Sequence, residues 1–241
     1  MASKVRLYVD HPLGEGQSVP LSRDQAHYLF GVMRLGEGAV LSLINGADGE
    51  WDAAVAQASK KGGVLVCRAQ TAPLRLPPDL WLMFAPIRKE RTAFIVEKAV
   101  EMGAARVMPV QTDYTQKANR MRHDKLQAHA IEAAEQCGGT IVPPVDDLVR
   151  LDRVFADWPD GRKLMFCDEA VAGRSAALPS VLAAPAAILI GPEGGFSSEE
   201  REMLRGLDFA HAVSLGPRIL RADTAAVAAL TLWQQALGDW R

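Results

Sequence analysis

The stretch 186-AAILIGPEGGFSSEE-200 decides how the second half of this chain folds. Five apolar residues make a short strand with no polar alternation, the pattern of a strand covered on both faces. A glycine-rich turn follows, and Ser197 with Glu200 forms the S-x-x-E signature of a helix start. The turn therefore sits at the carboxyl end of a strand, where open α/β sheets bind ligands. Gly191, Gly194 and Gly195 allow the backbone to bend and to approach a ligand closely. Neither the P-loop pattern nor G-x-G-x-x-G is present, and Glu193 would repel a phosphate. A neutral or cationic ligand held by main-chain groups fits the turn, and so, taken alone, does an ordinary connection without a ligand.

A second stretch, 213-VSLGPRILRADTAA-226, repeats the layout: a strand leaves through a Gly-Pro pair and enters a helix at Asp223 or Thr224. Two such turns on consecutive strands can face one pocket. Arg218 and Arg221 place cations beside a helix N-terminus, an arrangement suited to an electron-rich substrate group. The structural alternative for Arg221 is an ion pair with Asp223 or Glu193.

Working outward, apolar runs alternate with longer amphipathic stretches from "LWLMFA" at residue 80 to "ADTAAVAALTLWQQAL" near the C-terminus. This alternation predicts an α/β domain over 80–241 with a mainly parallel sheet covered on both faces. Residues 73–79 form a proline-rich linker, within the run "TAPLRLPPD". Before it, residues 1–72 read as short strands, "KVRLYV", "AVLSLING", "EWDAAVAQ" and "GVLVCRAQ", which make a small β-barrel-like domain. One helix interrupts them over "SRDQAHYLFGVMRL", with Ser22 as its N-cap.

Composition narrows the function classes. Hydrophobic residues make up 49% of the 241 and charged residues 23%, as expected of a folded soluble protein. No apolar run approaches the roughly 20 residues that span a bilayer, and the N-terminus lacks a signal-peptide pattern. The expectation is a cytoplasmic protein with no membrane partner. Cys67, Cys137 and Cys167 show no C-x-x-C spacing, and the five histidines are scattered, which argues against a metal site. Residues 1–125 hold 17 Lys and Arg against 13 Asp and Glu, whereas 126–241 hold 10 against 16. A polyanion would therefore be met by the first half.

The stretches "LIGPEGGFSSEE", "LGPRILRADTA", "KAVEMGAARVMPV" and "EAAEQCG" together resemble the SPOUT-class 16S ribosomal RNA uracil-N3 methyltransferases. Their order and spacing agree from about residue 80 onward, and "HYLFGVMRLGEG" is similar to that family's N-terminal PUA-like RNA-binding domain. The resemblance implies a deep trefoil knot in the C-terminal domain, a homodimer, and bound S-adenosyl-L-methionine. It places Gly191, Pro192, Glu193, Gly194, Leu215, Gly216, Ile219 and Leu220 around that cofactor, which carries a sulfonium and no phosphate. The implied substrate is a uridine, position 1498 by family analogy, of 16S ribosomal RNA or the small ribosomal subunit. One departure stands out: the family's arginine after "EAAEQ" is replaced by Gly138 and Gly139, so that another residue such as Arg174 would have to substitute.

Uracil N3 carries a proton at neutral pH and attacks a methyl donor only once that proton leaves. Arg221 is the candidate to stabilise the resulting anion, and Glu193, directly or through a water, is the candidate base. Candidate RNA contacts are Arg6, Arg34, Lys60 and Lys61 on the small domain, and Arg88, Lys89, Arg91, Lys98 and the run "QKANRMRHDK", which contains Lys117, on the large one. Lys60 and Lys61 read as a solvated face. Tyr28, Phe30 and Trp51 could stack on a base but suit a barrel core, and Trp233 suits a core or a dimer interface. Two other readings remain: a 2′-O-ribose methyltransferase on the same fold, and a non-catalytic RNA-binding or ribosome-assembly protein. A nucleotide-dependent oxidoreductase is disfavoured by the missing G-x-G-x-x-G.

Overall fold

A computed structural model of the chain describes residues 5–59, 62–115, 122–173 and 178–240. They form two compact units, Met1–Leu76 with Ala134–Val142, and Pro77–Ala133 with Pro143–Arg241. The division is not the simple succession of domains expected over 1–72 and 80–241, because residues 134–142 group with the N-terminal part.

The first unit is built on a five-stranded sheet of β1 (Arg6–Tyr8), β2 (Ser18–Pro20), β3 (Val40–Ile44), β4 (Glu50–Ser59) and β5 (Gly62–Ala72), in the order β1-β3-β4-β5-β2. β1 runs parallel to β3, and the other pairs are antiparallel. Its core is made of Val19, Leu29, Leu41, Leu43, Ala53 and Leu65, all fully buried. The sequence reading passed over β2, which is three residues long and ends in Pro20, a residue tolerated in a sheet only at an edge. The expected helix begins at α1 (Arg23–Ala26) with a complete capping box between Ser22 and Gln25. It then widens to π-helical turns over His27–Val32, and Arg34 takes φ 56°. Trp51 and Phe30 pack against the core, and the Trp51 Nε1 donates to the Asp48 carbonyl at 2.9 Å. Tyr28 remains exposed.

The second unit holds β6 (Leu80–Phe84), α2 (Lys89–Glu101), β7 (Arg106–Gln111), all but the last turn of α3 (His123–Cys137), β8 (Val149–Arg150), α4 (Leu151–Ala156), β9 (Lys163–Cys167), β10 (Ala186–Ile190), α5 (Ser198–Arg205), β11 (Ala210–Val213) and α6 (Ala222–Leu237). The six strands make an all-parallel sheet in the order β11-β9-β10-β6-β7-β8. β10, the strand that opens the sequence reading, is buried along its whole length between β9 and β6. After β9 the chain returns inward to form β10 and then moves outward again to β11. The loops that follow β9, β10 and β11 therefore emerge from one end of three adjacent strands. β8 and α4, two and six residues long, are too short to show a period in the sequence. Trp233 is fully buried, and its indole donates to the Leu182 carbonyl at 2.8 Å, which makes it a core residue. Gln234, also buried, donates to the Met102 carbonyl at 2.7 Å, just beyond α2.

Arg6, expected on the RNA-binding face, is instead turned inward within the first unit. Its Nη1 donates to the carbonyls of Ala134 (2.7 Å) and Glu135 (2.9 Å), and its Nη2 donates to the Gly139 carbonyl (2.7 Å) and the Glu50 carboxylate (3.1 Å). Ala134 and Glu135 lie in the last turn of α3, whose carbonyls have no partners within the helix, so Arg6 acts as a C-terminal cap that also meets the negative end of the helix dipole. Gly138 follows at φ 82°, the left-handed position that ends a helix most cheaply with glycine. The glycine that stands in place of the family's arginine thus has a local conformational role. Replacing Arg6 by alanine strands the half-buried Glu50 carboxylate and three carbonyls, and should destabilise this unit by roughly 2 kcal/mol. A urea melt would read this as a lower midpoint with an unchanged slope; an unaltered midpoint would contradict the capping role.

Candidate active site

A cleft of about 190 Å³ lies at the carboxyl ends of β9, β10 and β11. From the loop after β10 it is lined by Gly191, Pro192, Glu193, Gly194 and Gly195. The loop after β11 contributes Leu215, Gly216, Arg218, Ile219 and Leu220. The eight residues expected around the cofactor are thus brought to one cleft by the reversal of strand order described above.

Local chemistry shapes the loop after β10. The Gly195 amide donates to the Pro192 carbonyl at 2.9 Å, and Gly195 itself takes φ 70°. That left-handed angle favours glycine, and a Cβ there would also require the end of the Glu169 side chain to move. Ser197 then caps α5: its Oγ accepts from the Glu200 amide, and the Glu200 carboxylate accepts from the Ser197 amide at 3.0 Å. The Ser197 hydroxyl also donates to Asp113 at 2.6 Å, and the Asp113 amide donates to Glu200 at 2.9 Å, which fixes the loop after β7 to the start of α5.

A third wall was not anticipated from the sequence. Cys167, Asp168, Glu169 and Ala172, at and beyond the end of β9, also line the cleft. The Asp168 side chain is completely buried, and its oxygens accept from Arg201 Nε (3.1 Å), Arg205 Nη2 (3.0 Å) and the Ala170 amide (3.0 Å). Arg201 also pairs with Glu169. Arginines four apart lie on one face of a helix, so α5 presents both guanidiniums to the same acidic pair. The available signal was "CDEA" directly after the apolar run "KLMFC", two acids at a strand end. Burial pushes the Cys167 thiol up to about 12, so it remains protonated and is not a nucleophile here.

Arg221 stands at the N-cap position of α6 with extended backbone, φ −67° and ψ 153°, and its side chain is exposed. It has no side-chain partner among the described residues. Asp223, its expected structural partner, pairs instead with Arg91 on α2 at 3.0 Å. Arg218 lines the cleft; Arg221 is not among its lining residues, although its chain neighbours Leu220 and Ala222 are. Glu193 is exposed on the opposite loop.

The candidate RNA contacts separate into groups. Arg34 in the first unit and Arg88 in the second are exposed and have no side-chain partner among the described residues. Lys98 is paired with Glu101 at 2.6 Å and lies 5.4 Å from the Phe94 ring centre, and Arg91 is spent on Asp223. Lys60, Lys61, Lys117 and Arg174 fall outside the described residues. No group of three metal-ligating side chains occurs among the described residues, and no helix among them is long and apolar enough to cross a membrane.

Comparison with known proteins places this geometry. Residues 74–234 match the model of the RNA methyltransferase domain, and residues 21–66 match that of the RNA methyltransferase PUA domain. The ribosomal RNA small subunit methyltransferase E of Rickettsia conorii is 27% identical over 93% of both chains, and that of Bacillus subtilis is 28% identical over 90% of both. Two solved structures superpose with a TM-score of 0.89 over 99% of this chain and the whole of the other: a Legionella pneumophila protein in complex with SAM, 31% identical, and a Neisseria gonorrhoeae ribosomal RNA small subunit methyltransferase E bound to S-adenosyl methionine, 25% identical. A PUA-like unit joined to an α/β unit with a parallel sheet, and a cleft at the end of its last three strands, are what a match over two thirds of the length predicts: the chain belongs to the RNA methyltransferase family.

Proposed function

We propose that this protein is an S-adenosyl-L-methionine-dependent methyltransferase that modifies N3 of a uridine in 16S ribosomal RNA. The observation that carries the reading is the three-loop cleft, together with the bound cofactor in both structural relatives at 31% and 25% identity. The cleft suits that molecule chemically. Gly216 at φ 113° leaves open backbone with nothing where a Cβ would stand, and the Glu169 and Glu193 carboxylates can meet hydroxyls or a cationic centre. It contains no lysine to bind a phosphate.

When bound, the cofactor supplies an electrophilic methyl group on a sulfonium. The chain's own residues have two tasks: to hold the uracil in line with that methyl group, and to favour loss of its N3 proton. Arg221, charged and without a local partner, stabilises the negative charge that spreads onto the uracil oxygens as the proton leaves. Glu193, or a water it holds, receives the proton. Arg34 and Arg88 offer phosphate contacts, which position RNA without reading its sequence. The reading also carries the family's homodimer, its knotted connection through the loops after β10 and β11, and a cytoplasmic location where ribosomal RNA is found.

A calorimetric titration with S-adenosyl-L-methionine tests the cofactor assignment, and absence of binding would overturn it. In the same titration Gly195→Ala should weaken binding by about tenfold, because strain of order 1–3 kcal/mol enters the loop that lines the site. Arg221→Ala should lower kcat by about 10²–10³, the usual cost of losing one oxyanion-stabilising group, while cofactor affinity changes little. Near-normal methylation by that variant would remove Arg221 from the mechanism.

A further inference from the structure

Three helices of the second unit begin with the same pattern, an arginine just before or at the helix start and an aspartate two residues later: Arg122 and Asp124 at α3, Arg150 and Asp152 at α4, and Arg221 and Asp223 at α6. In the first two the arginine closes on its own aspartate, Arg122 Nη2 to Asp124 Oδ2 at 2.5 Å and Arg150 Nη2 to Asp152 Oδ2 at 3.0 Å. Each arginine's guanidinium is held further toward its charged form by that pair. The backbone that permits the closure is also present at the third: Arg150 has φ −62° and ψ 139°, Arg221 has φ −67° and ψ 153°. Yet Arg221 makes no such pair. Asp223 Oδ2 accepts from Arg91 Nη1 at 3.0 Å, and Asp223 Oδ1 accepts from the Thr224 amide at 3.0 Å.

The side chains of the two local pairs are all more than half exposed, whereas the Asp223 side chain is only 18% exposed and that of Arg91 32%. The partly desolvated contact across α2 and α6 is the stronger competitor, since an ion pair gains as solvent is withdrawn from it. Arg91 thus prevents the pairing that the sequence of α6 would otherwise favour.

We propose that Arg91 is a positioning residue for methyl transfer: by occupying Asp223 it leaves the guanidinium of Arg221, a residue set in the chain between the cleft-lining Leu220 and Ala222, without a carboxylate partner among the described residues. This rests on the role proposed above for Arg221. A uracil anion would meet an uncompensated cation in the native enzyme, and a neutralised Arg-Asp pair if Asp223 were released. The interaction with Arg91 also anchors α6 to α2, so a purely structural role makes a different prediction, and the two can be separated.

The test is steady-state methylation of 16S RNA by Arg91→Ala, Asp223→Asn and the double variant, with Arg91→Lys and Arg221→Ala alongside. Thermal melts and cofactor titrations of each protein establish folding. Arg91→Ala should lose up to about fivefold in kcat, with KM for the cofactor unchanged, because Asp223 is freed to pair with Arg221 through an exposed ion pair of ordinary strength. Removing the aspartate as well should restore kcat to the level of Asp223→Asn alone, above that of Arg91→Ala. Arg91→Lys, which can still hold the aspartate, should retain more kcat than Arg91→Ala. If the two single variants and the double variant lose activity equally, the ion pair is only an anchor and the proposal fails. Should Arg91→Ala not fold, the ranking of Arg91→Lys against Asp223→Asn decides: a lysine variant with more kcat than the asparagine variant, at equal cofactor affinity, shows that the pair acts only as an anchor and overturns the proposal. Full activity in Arg221→Ala would instead refute the role of Arg221, a result distinguishable from all of these.

Discussion

The completely buried carboxylate of Asp168 is the constraint on which the cleft depends. A charge removed from water must be paired and hydrogen-bonded, or it costs several kcal/mol. Asp168 meets that demand with two guanidiniums and a backbone amide. Both guanidiniums come from the middle and the last residue of α5, the helix that follows the glycine loop, so the end of β9 is tied to the body of α5 and the loop between β10 and α5 lies between these two fixed elements. Glu169 follows Asp168 to the wall of the cleft, where its carboxylate packs against Gly195, itself in the left-handed conformation that favours glycine. The capping box of α5 and the bond from Ser197 to Asp113 fix the same helix from its other side. The loops that would hold a ligand are therefore set by side chains packed beneath them.

This arrangement bears on charge as well as shape. Asp168 and Glu169 are matched by Arg201 and Arg205, so the acidic wall is close to neutral. Arg218 and Arg221, on the loop after β11, have no such carboxylate partner among the described residues. In the proposed mechanism this keeps the cations offered to a reacting uracil apart from the carboxylates offered to a sulfonium.

Much of the second unit was legible because its strands are continuous apolar runs and its helices have caps. The run "AAILI" became β10, Ser197 and Glu200 became a real capping box, and "ADTAAVAALTLWQQAL" became α6. Both Gly-Pro loops reached the cleft for the reason read from them, their position at strand ends. What was hidden is long-range. Nothing periodic links Asp168 to Arg201 and Arg205, more than thirty residues on, so the third wall escaped notice. Arg6 shows the same limit: an arginine's charge does not reveal whether it faces a phosphate or a row of helix carbonyls. The passage of 134–142 into the first unit was equally invisible, because the helix containing its first residues has an unbroken pattern.

The central claim, that this cleft directs methyl transfer to the nitrogen of a uracil base, is most directly tested by nucleoside mass spectrometry. Small-subunit RNA from a strain lacking the gene would be incubated with the purified protein and isotopically labelled cofactor, digested to nucleosides and separated. The account predicts that the label appears in 3-methyluridine and nowhere else. Label in a 2′-O-methylated nucleoside, or no transfer to RNA by a protein that binds the cofactor, would contradict it.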